Sequence, residues 1–175
     1  YLRCQMILEK NRKLLCCFTV DTDADQFFGS RLAHRNPDDK AIIGWEGLDR
    51  GKDAIIQATA VTADHLQTAL PITWFVRCDG QIEKKHGCAA FLLKHYHDWW
   101  HSRCLAGDDI QWHVHLHHQI GGTWVQSTSQ EVIRADIASS FYAFRAEKLN
   151  PIAVRVGEAY QSNFLMQLLD EMGLK

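Results

Sequence analysis

Four times along this chain an apolar, β-prone run gives way to polar residues, and a helix-length segment separates most of these runs. Leu14-Leu15-Cys16-Cys17-Phe18-Thr19-Val20 stops at Asp21, the pattern of a strand buried on both faces of a parallel sheet. Pro71 precedes Ile72-Thr73-Trp74-Phe75-Val76, which Arg77-Cys78-Asp79-Gly80 ends. Ile110 to His115 alternates, and Ile152-Ala153-Val154-Arg155-Val156 makes a fourth run. Between them, Gly51 to Leu70 carries helical spacing at Ala54, Ile55, Ala58, Val61 and Leu66, and Gln81 to Cys104 carries it at Ala90, Leu93, His97 and Trp100. Thr128 and Glu131 form a capping box for a helix through Lys148 with Ile133, Ile137, Phe141 and Phe144 on its core stripe. Asn163 to Met172 is a last helix, ended by Gly173. Alternation of this kind predicts right-handed βαβ units, hence an α/β fold with a parallel sheet or barrel.

A chain of 175 residues is enough for one core and too short for two comfortable domains. Nineteen Lys and Arg against 21 Asp and Glu leave no basic field, which excludes a dedicated nucleic-acid-binding module. No apolar run reaches the roughly 20 residues of a membrane span, so no transmembrane segment is expected. The six cysteines form no Cys-x-x-Cys pair, and Cys16 and Cys17 are adjacent in an apolar run. That usage predicts mostly buried thiols in a reducing compartment, hence a cytoplasmic location. Walker, dinucleotide-binding and Gly-x-Ser-x-Gly motifs are absent, so nucleotide and serine-hydrolase chemistry lack support.

Polar residues sit at the ends of the strands: Asp21, Asp79, the histidine cluster, and Arg155 to Glu158. In a parallel sheet these positions share the carboxyl edge, where such folds keep their sites. Eight of the ten histidines fall between His86 and His118, four of them in Trp112-His113-Val114-His115-Leu116-His117-His118. If that segment is extended, neighbours two apart share a face about 6.6 Å from each other, within reach of one metal. If it turns helically, His113 and His117 come together instead. His86, His95, His97 and His101 are expected at the surface or between helices. Alternating carboxylates in Asp21-Thr22-Asp23-Ala24-Asp25 repel one another unless a cation offsets them. One carboxylate with two imidazoles and an open position is a catalytic metal set, and a second carboxylate beside it can take a proton from water. Two imidazoles among the ligands favour Zn2+. Arg155, inside an apolar strand, calls for an anionic partner at the same edge.

In order, Phe18-Thr19-Val20-Asp21-Thr22-Asp23, Thr73-Trp74-Phe75-Val76-Arg77, Gly107 to His113 with His117, and Arg155-Val156-Gly157-Glu158 resemble segments of the polysaccharide deacetylase (NodB-homology) superfamily, carbohydrate esterase family four and its relatives. The resemblance implies one domain over residues 1–175, an irregular (β/α) barrel of seven strands, incomplete at the C-terminus. It implies metal-dependent hydrolysis of a non-peptide C–N amide bond, most naturally N-deacetylation of a carbohydrate, with a small amide as the other substrate class. By the same resemblance Asp21 is the general base and Arg155 its partner, while Asp23, His113 and His117 hold a divalent metal, usually zinc. The Asp-x-Asp spacing belongs to one branch of that family, and Val156-Gly157-Glu158 replaces its usual proline-and-tyrosine continuation. The family's Leu-x-His, which supplies the general acid, would lie beyond Lys175. The alternative is a catalytically impaired module of the same fold that binds a saccharide or a protein, with Trp45, Trp74, Trp99, Trp100, Trp112 and Trp124 as its aromatic surface.

Overall fold

The computed structural model describes residues 17–24 and 44–175. Four strands, β1 (Phe18–Thr22), β2 (Ile72–Arg77), β3 (Asp109–Val114) and β6 (Val154–Val156), lie side by side in that order, all parallel. Helix α1 (Glu46–Leu66) links the first pair, and α2 (Gly80–His86), α3 (Phe91–His95) and α4 (His97–Leu105) link the second. A hairpin of β4 (His117–Ile120) and β5 (Thr123–Gln126) followed by α5 (Gln130–Ala146) links the third. Helix α6 (Asn163–Glu171) comes last, capped by the Ser162 hydroxyl, which accepts from the Leu165 N–H.

Because strand order never reverses, right-handed crossovers put their helices on one face of the sheet. The strand period of two then sorts the residues. Ile72, Trp74 and Val76 with Ile110, Trp112 and Val114 form the outward set, all buried. Trp74 meets Trp99 and Trp100 of α4 edge-on at 5.1 and 6.0 Å, and Trp112 meets Phe141 of α5 at 5.6 Å. Apart from Phe75, the inward set is polar: Thr19, Asp21 and Asp23 from β1 and its exit, Thr73, Arg77, Gln111, His113 and Arg155.

The sheet is curled into half a barrel, and one contact shows the curl directly. In a flat sheet β1 and β6 would stand three strand spacings apart, about 14 Å, with side chains perpendicular to the sheet. Yet Arg155 Nη1 on β6 donates to Asp21 Oδ1 on β1 at 2.5 Å, and Nη2 to Thr19 Oγ1 at 3.3 Å. The guanidinium also lies 4.1 Å from the centre of the Phe75 ring between them. These described residues give four parallel strands, short of the seven of a complete barrel.

Several expectations change. The described part of β1 is an edge strand with Phe18, Thr19 and Asp21 exposed, so it is not buried on both faces; Leu14, Leu15 and Cys16 lie outside the described residues. Helix α1 starts five residues earlier than the spacing suggests and buries no residue, with Val61 and Leu66 exposed. The helix expected over 81–104 is three helices, because Gly87 adopts φ 75° and the backbone bends again at Tyr96. Ala90, Leu93 and Trp100 still face the core, but His97 is exposed. β3 is buried along Ile110–Val114 rather than on alternate sides, since its inner face meets the curled sheet. Ser129, not Thr128, occupies the cap of α5 and makes no side-chain cap bond. The β4–β5 hairpin had no counterpart in the sequence reading. Of the described cysteines only Cys78 is buried; Cys88 is half-buried, and Cys17 and Cys104 are exposed. Among the described residues no helix is long and apolar enough to cross a membrane.

At the amino edge of the sheet Asp108 ties the second crossover down. Its carboxylate accepts from the Ile72 N–H (3.0 Å), Trp74 Nε1 (2.8 Å) and Arg103 Nε (2.7 Å). Burial alone would raise its pKa, but Arg103 and the two N–H donors outweigh that and hold it below the usual carboxylate value. A carboxylate with a lowered folded pKa stabilises the fold above its unfolded pKa of about 3.9, and that stability is lost as pH falls below it. Asp108→Ala is therefore expected to cost about 2–3 kcal/mol at neutral pH, from two orphaned N–H groups and a half-buried arginine. Denaturant titrations should show the deficit shrinking below pH 4; an equal deficit at pH 3 and pH 7 would refute the assignment.

Candidate metal centre

Residues from β1, β3 and β6 and from the segments that follow them line a cleft of about 780 Å³. Asp21, Asp23, His113, His115, Arg155 and Glu158 line it. Asp23 lies just past the end of β1, His113 is the penultimate residue of β3, and His115 lies one residue beyond that strand. The extended path through Val114 keeps His113 and His115 on one face, so their Nε2 atoms lie 3.1 Å apart. Asp23 Oδ1 is 3.4 Å from His113 Nε2 and 3.3 Å from His115 Nε2.

This triangle has the dimensions of one face of a metal tetrahedron. Bonds of about 2.0–2.1 Å place tetrahedral ligands about 3.3 Å from each other. The tautomer agrees. His113 Nδ1 lies 2.9 Å from the Arg155 carbonyl oxygen, which can only accept, so a neutral ring carries its proton on Nδ1 and turns the Nε2 lone pair into the triangle. When the rings are instead protonated, burial would raise the Asp23 pKa, but hydrogen bonds and charge from His113 and His115 override it and hold the carboxyl far below its usual range. The donor set thus fits a divalent cation on chemistry and spacing alike.

A buried scaffold positions the trio. Arg77, 3% exposed, donates from Nε to Asp79 Oδ2 (2.7 Å), from Nη1 to Asp23 Oδ1 (3.3 Å) and from Nη2 to Gln81 Oε1. Asp79, fully buried, caps α2 through Oδ1, which accepts from the Gln81 and Ile82 N–H groups. Its Oδ2 also accepts from the His115 N–H at 3.2 Å. One carboxylate therefore fixes a helix start, an arginine and the backbone of a candidate ligand. On the other side Gly157 abuts the His115 ring so closely that a Cβ there would stand 2.2 Å from Nε2 and Cδ2.

Beyond His115 the chain enters β4, so His117 leaves the Asp23 triangle. It joins His115 and Glu158 in an adjoining group whose donor atoms all lie within 4.8 Å of one another, and its Nε2 is 3.5 Å from Glu158 Oε2. Burial holds the His117 imidazole below its usual pKa against the pull of Glu158. Glu158 and Ala159 both adopt left-handed φ values, 56° and 53°. Two successive non-glycine residues there cost of order 1–3 kcal/mol each and mark a constrained segment. His118 points the other way, with Nδ1 2.9 Å from Ser127 Oγ.

The structure therefore brings Asp21, Asp23, His113 and Arg155 to one cleft, pairs Arg155 with Asp21, and sets His117 one group further along. Asp25 lies outside the described residues. The sequence reading passed over Arg77 and Gln81 and left His115 and Glu158 out of the ligand set; an arginine two residues before an aspartate at a strand end was the available signal for Arg77. Four of the six tryptophans, Trp45, Trp74, Trp100 and Trp112, are core residues, so the expected aromatic surface for sugar stacking is not formed by them. His86 stacks on Phe91 at 4.0 Å and accepts from Trp45 Nε1, an interhelical role as expected. Comparison of the chain with protein-family models, with curated proteins and with solved structures finds no match.

Proposed function

We propose that this chain is a metal-dependent hydrolase of a non-peptide C–N amide bond, of the polysaccharide deacetylase type, acting on an N-acetylated carbohydrate. The observation that carries this reading is the meeting, in one cleft, of a metal-sized donor triangle and a carboxylate held by an arginine. Asp23 and His113 would hold the ion, with zinc preferred by the mixed imidazole and carboxylate donors. The resemblance offers His117 as the third ligand, and the separations favour His115. When bound, a divalent cation supplies Lewis acidity and lowers the pKa of water.

Asp21 takes the proton of the water that attacks the amide carbon. Arg155 holds Oδ1 of that carboxylate, which orients the side chain and leaves Oδ2 for the proton. Water's oxygen bonds to the carbonyl carbon, the C–N bond breaks, and the proton taken up by Asp21 passes to the departing nitrogen, giving a free amine and a carboxylic acid. The open cleft is wide enough to admit a sugar ring beside the carboxylate.

The test is hydrolysis of N-acetylated oligosaccharides by the zinc-loaded chain, followed by release of acetate. Asp21→Asn should lower kcat by about 10²–10⁴-fold while leaving zinc affinity and the melting temperature close to wild type. Unchanged turnover in that variant would remove Asp21 as the base. Turnover indifferent to chelators would remove the metal mechanism altogether.

A further inference from the structure

Beside the Asp23 triangle, the group of His115, His117 and Glu158 is a second constellation of ligand type, and nothing in the hydrolytic reading above uses Glu158. We infer that it is a second divalent-cation site, joined to the first through His115. The inference rests on the first trio binding an ion as proposed.

Three observations point the same way. The His117 side chain is 8% exposed, and its Nδ1 is buried with no hydrogen-bond partner while Nε2 faces the Glu158 carboxylate. A neutral imidazole whose Nδ1 carries the proton turns its Nε2 lone pair toward that carboxylate, and two lone-pair donors facing each other at 3.5 Å have the spacing of neighbouring ligands on one ion. Glu158 is held toward His117 from a backbone in the left-handed region, where glycine would be the comfortable residue, so the placement of this carboxylate is specified by the fold. Among the described residues no lysine or arginine forms an ion pair with Glu158, whereas Asp21 and Asp23 each have an arginine. Of Asp21, Asp23 and Glu158, the one without a cationic partner among the described residues thus sits in the second group.

His115 is the link. Its Nε2 belongs to the Asp23 triangle; a neutral imidazole has a single lone-pair nitrogen, so serving a second ion through Nδ1 requires the ring to release its remaining proton to solvent as that ion binds and to bridge as imidazolate. With His117 and Glu158 it completes two nitrogens and one oxygen, the donor types of a borderline divalent ion with positions left open. The cleft then holds two neighbouring cations, an arrangement that can clamp two oxygens of one substrate.

The probe is zinc alone, titrated into the chelator-stripped full chain by calorimetry, with metal counted by elemental analysis after desalting. Wild type should take two ions. Glu158→Gln, a change at a half-exposed side chain, should take one and keep the remaining affinity within about threefold. Asp23→Asn should lose the other ion, and His115→Gln should weaken both. Circular dichroism and melting temperature establish that each variant is folded. A single ion in wild type, or two ions in Glu158→Gln, overturns the second site; if that single ion is lost in Asp23→Asn, the hydrolase reading stands. No zinc bound at all overturns both.

Discussion

Asp79→Ala is expected to be the most damaging single change in the molecule, costing about 3–5 kcal/mol of stability in a urea titration. Removing one partner of a buried pair strands the other, and here Arg77 at 3% exposure would be left beside Asp23 without the acceptor of its Nε–H. The Gln81 and Ile82 N–H groups at the start of α2 would lose their acceptor as well, and so would the His115 N–H. Asp79→Asn separates these effects. Asparagine keeps an acceptor for the helix start but cannot balance the guanidinium, so its cost should fall between wild type and alanine. Equal stability of Asp79→Ala and wild type would show that the Arg77–Asp79 pair is not a structural element.

Gly157→Ala should act on the candidate metal centre with little effect on the fold. The Gly157 backbone lies outside the left-handed region, so alanine meets no conformational penalty there. Its Cβ, however, would stand 2.2 Å from His115 Nε2 and 2.6 Å from Cε1, inside contact distance. The ring must swing away, opening the Asp23–His113–His115 triangle. Zinc affinity, measured by competition with a chromophoric chelator, is expected to fall about 10–100-fold, the range typical for displacing a group that positions a ligand. Unaltered affinity would mean that His115 is not in the coordination set.

The four parallel strands and the helices between them were legible along the chain because they depend on local pattern. Ile72 to Val76 and Asn163 to Met172 announce themselves by β-branched density and by helical spacing with a serine cap and a terminal glycine. The carboxyl-edge placement of Asp23, His113 and Arg155 follows from the same pattern. What local pattern does not contain is curvature. Whether His113 pairs with His115 or with His117 depends on where the chain leaves β3, a residue-level boundary that tertiary packing decides. Arg155 reaching Asp21 depends on the curl of the whole sheet, 134 residues apart in sequence. Helix α1 was legible as a helix, though not its start at Glu46, and its apolar spacing did not say how far it is covered: it is only partly buried, through Leu48, Ile55 and Ile56.

The division of the sheet into a tryptophan-rich outer face and a charged inner face has a consequence for how this chain tolerates length changes. A substitution in β2 or β3 alters one side chain. A one-residue insertion or deletion at the start of either strand inverts the faces of everything downstream in that strand. In β3 it would turn Trp112 into the cleft and drive His113 against α5, removing core and metal centre together. Insertions are expected to be tolerated only in the connections, such as the β4–β5 turn at Gly121 and Gly122, where positive φ angles absorb the reversal and no neighbour lies within 4 Å of an added Cβ.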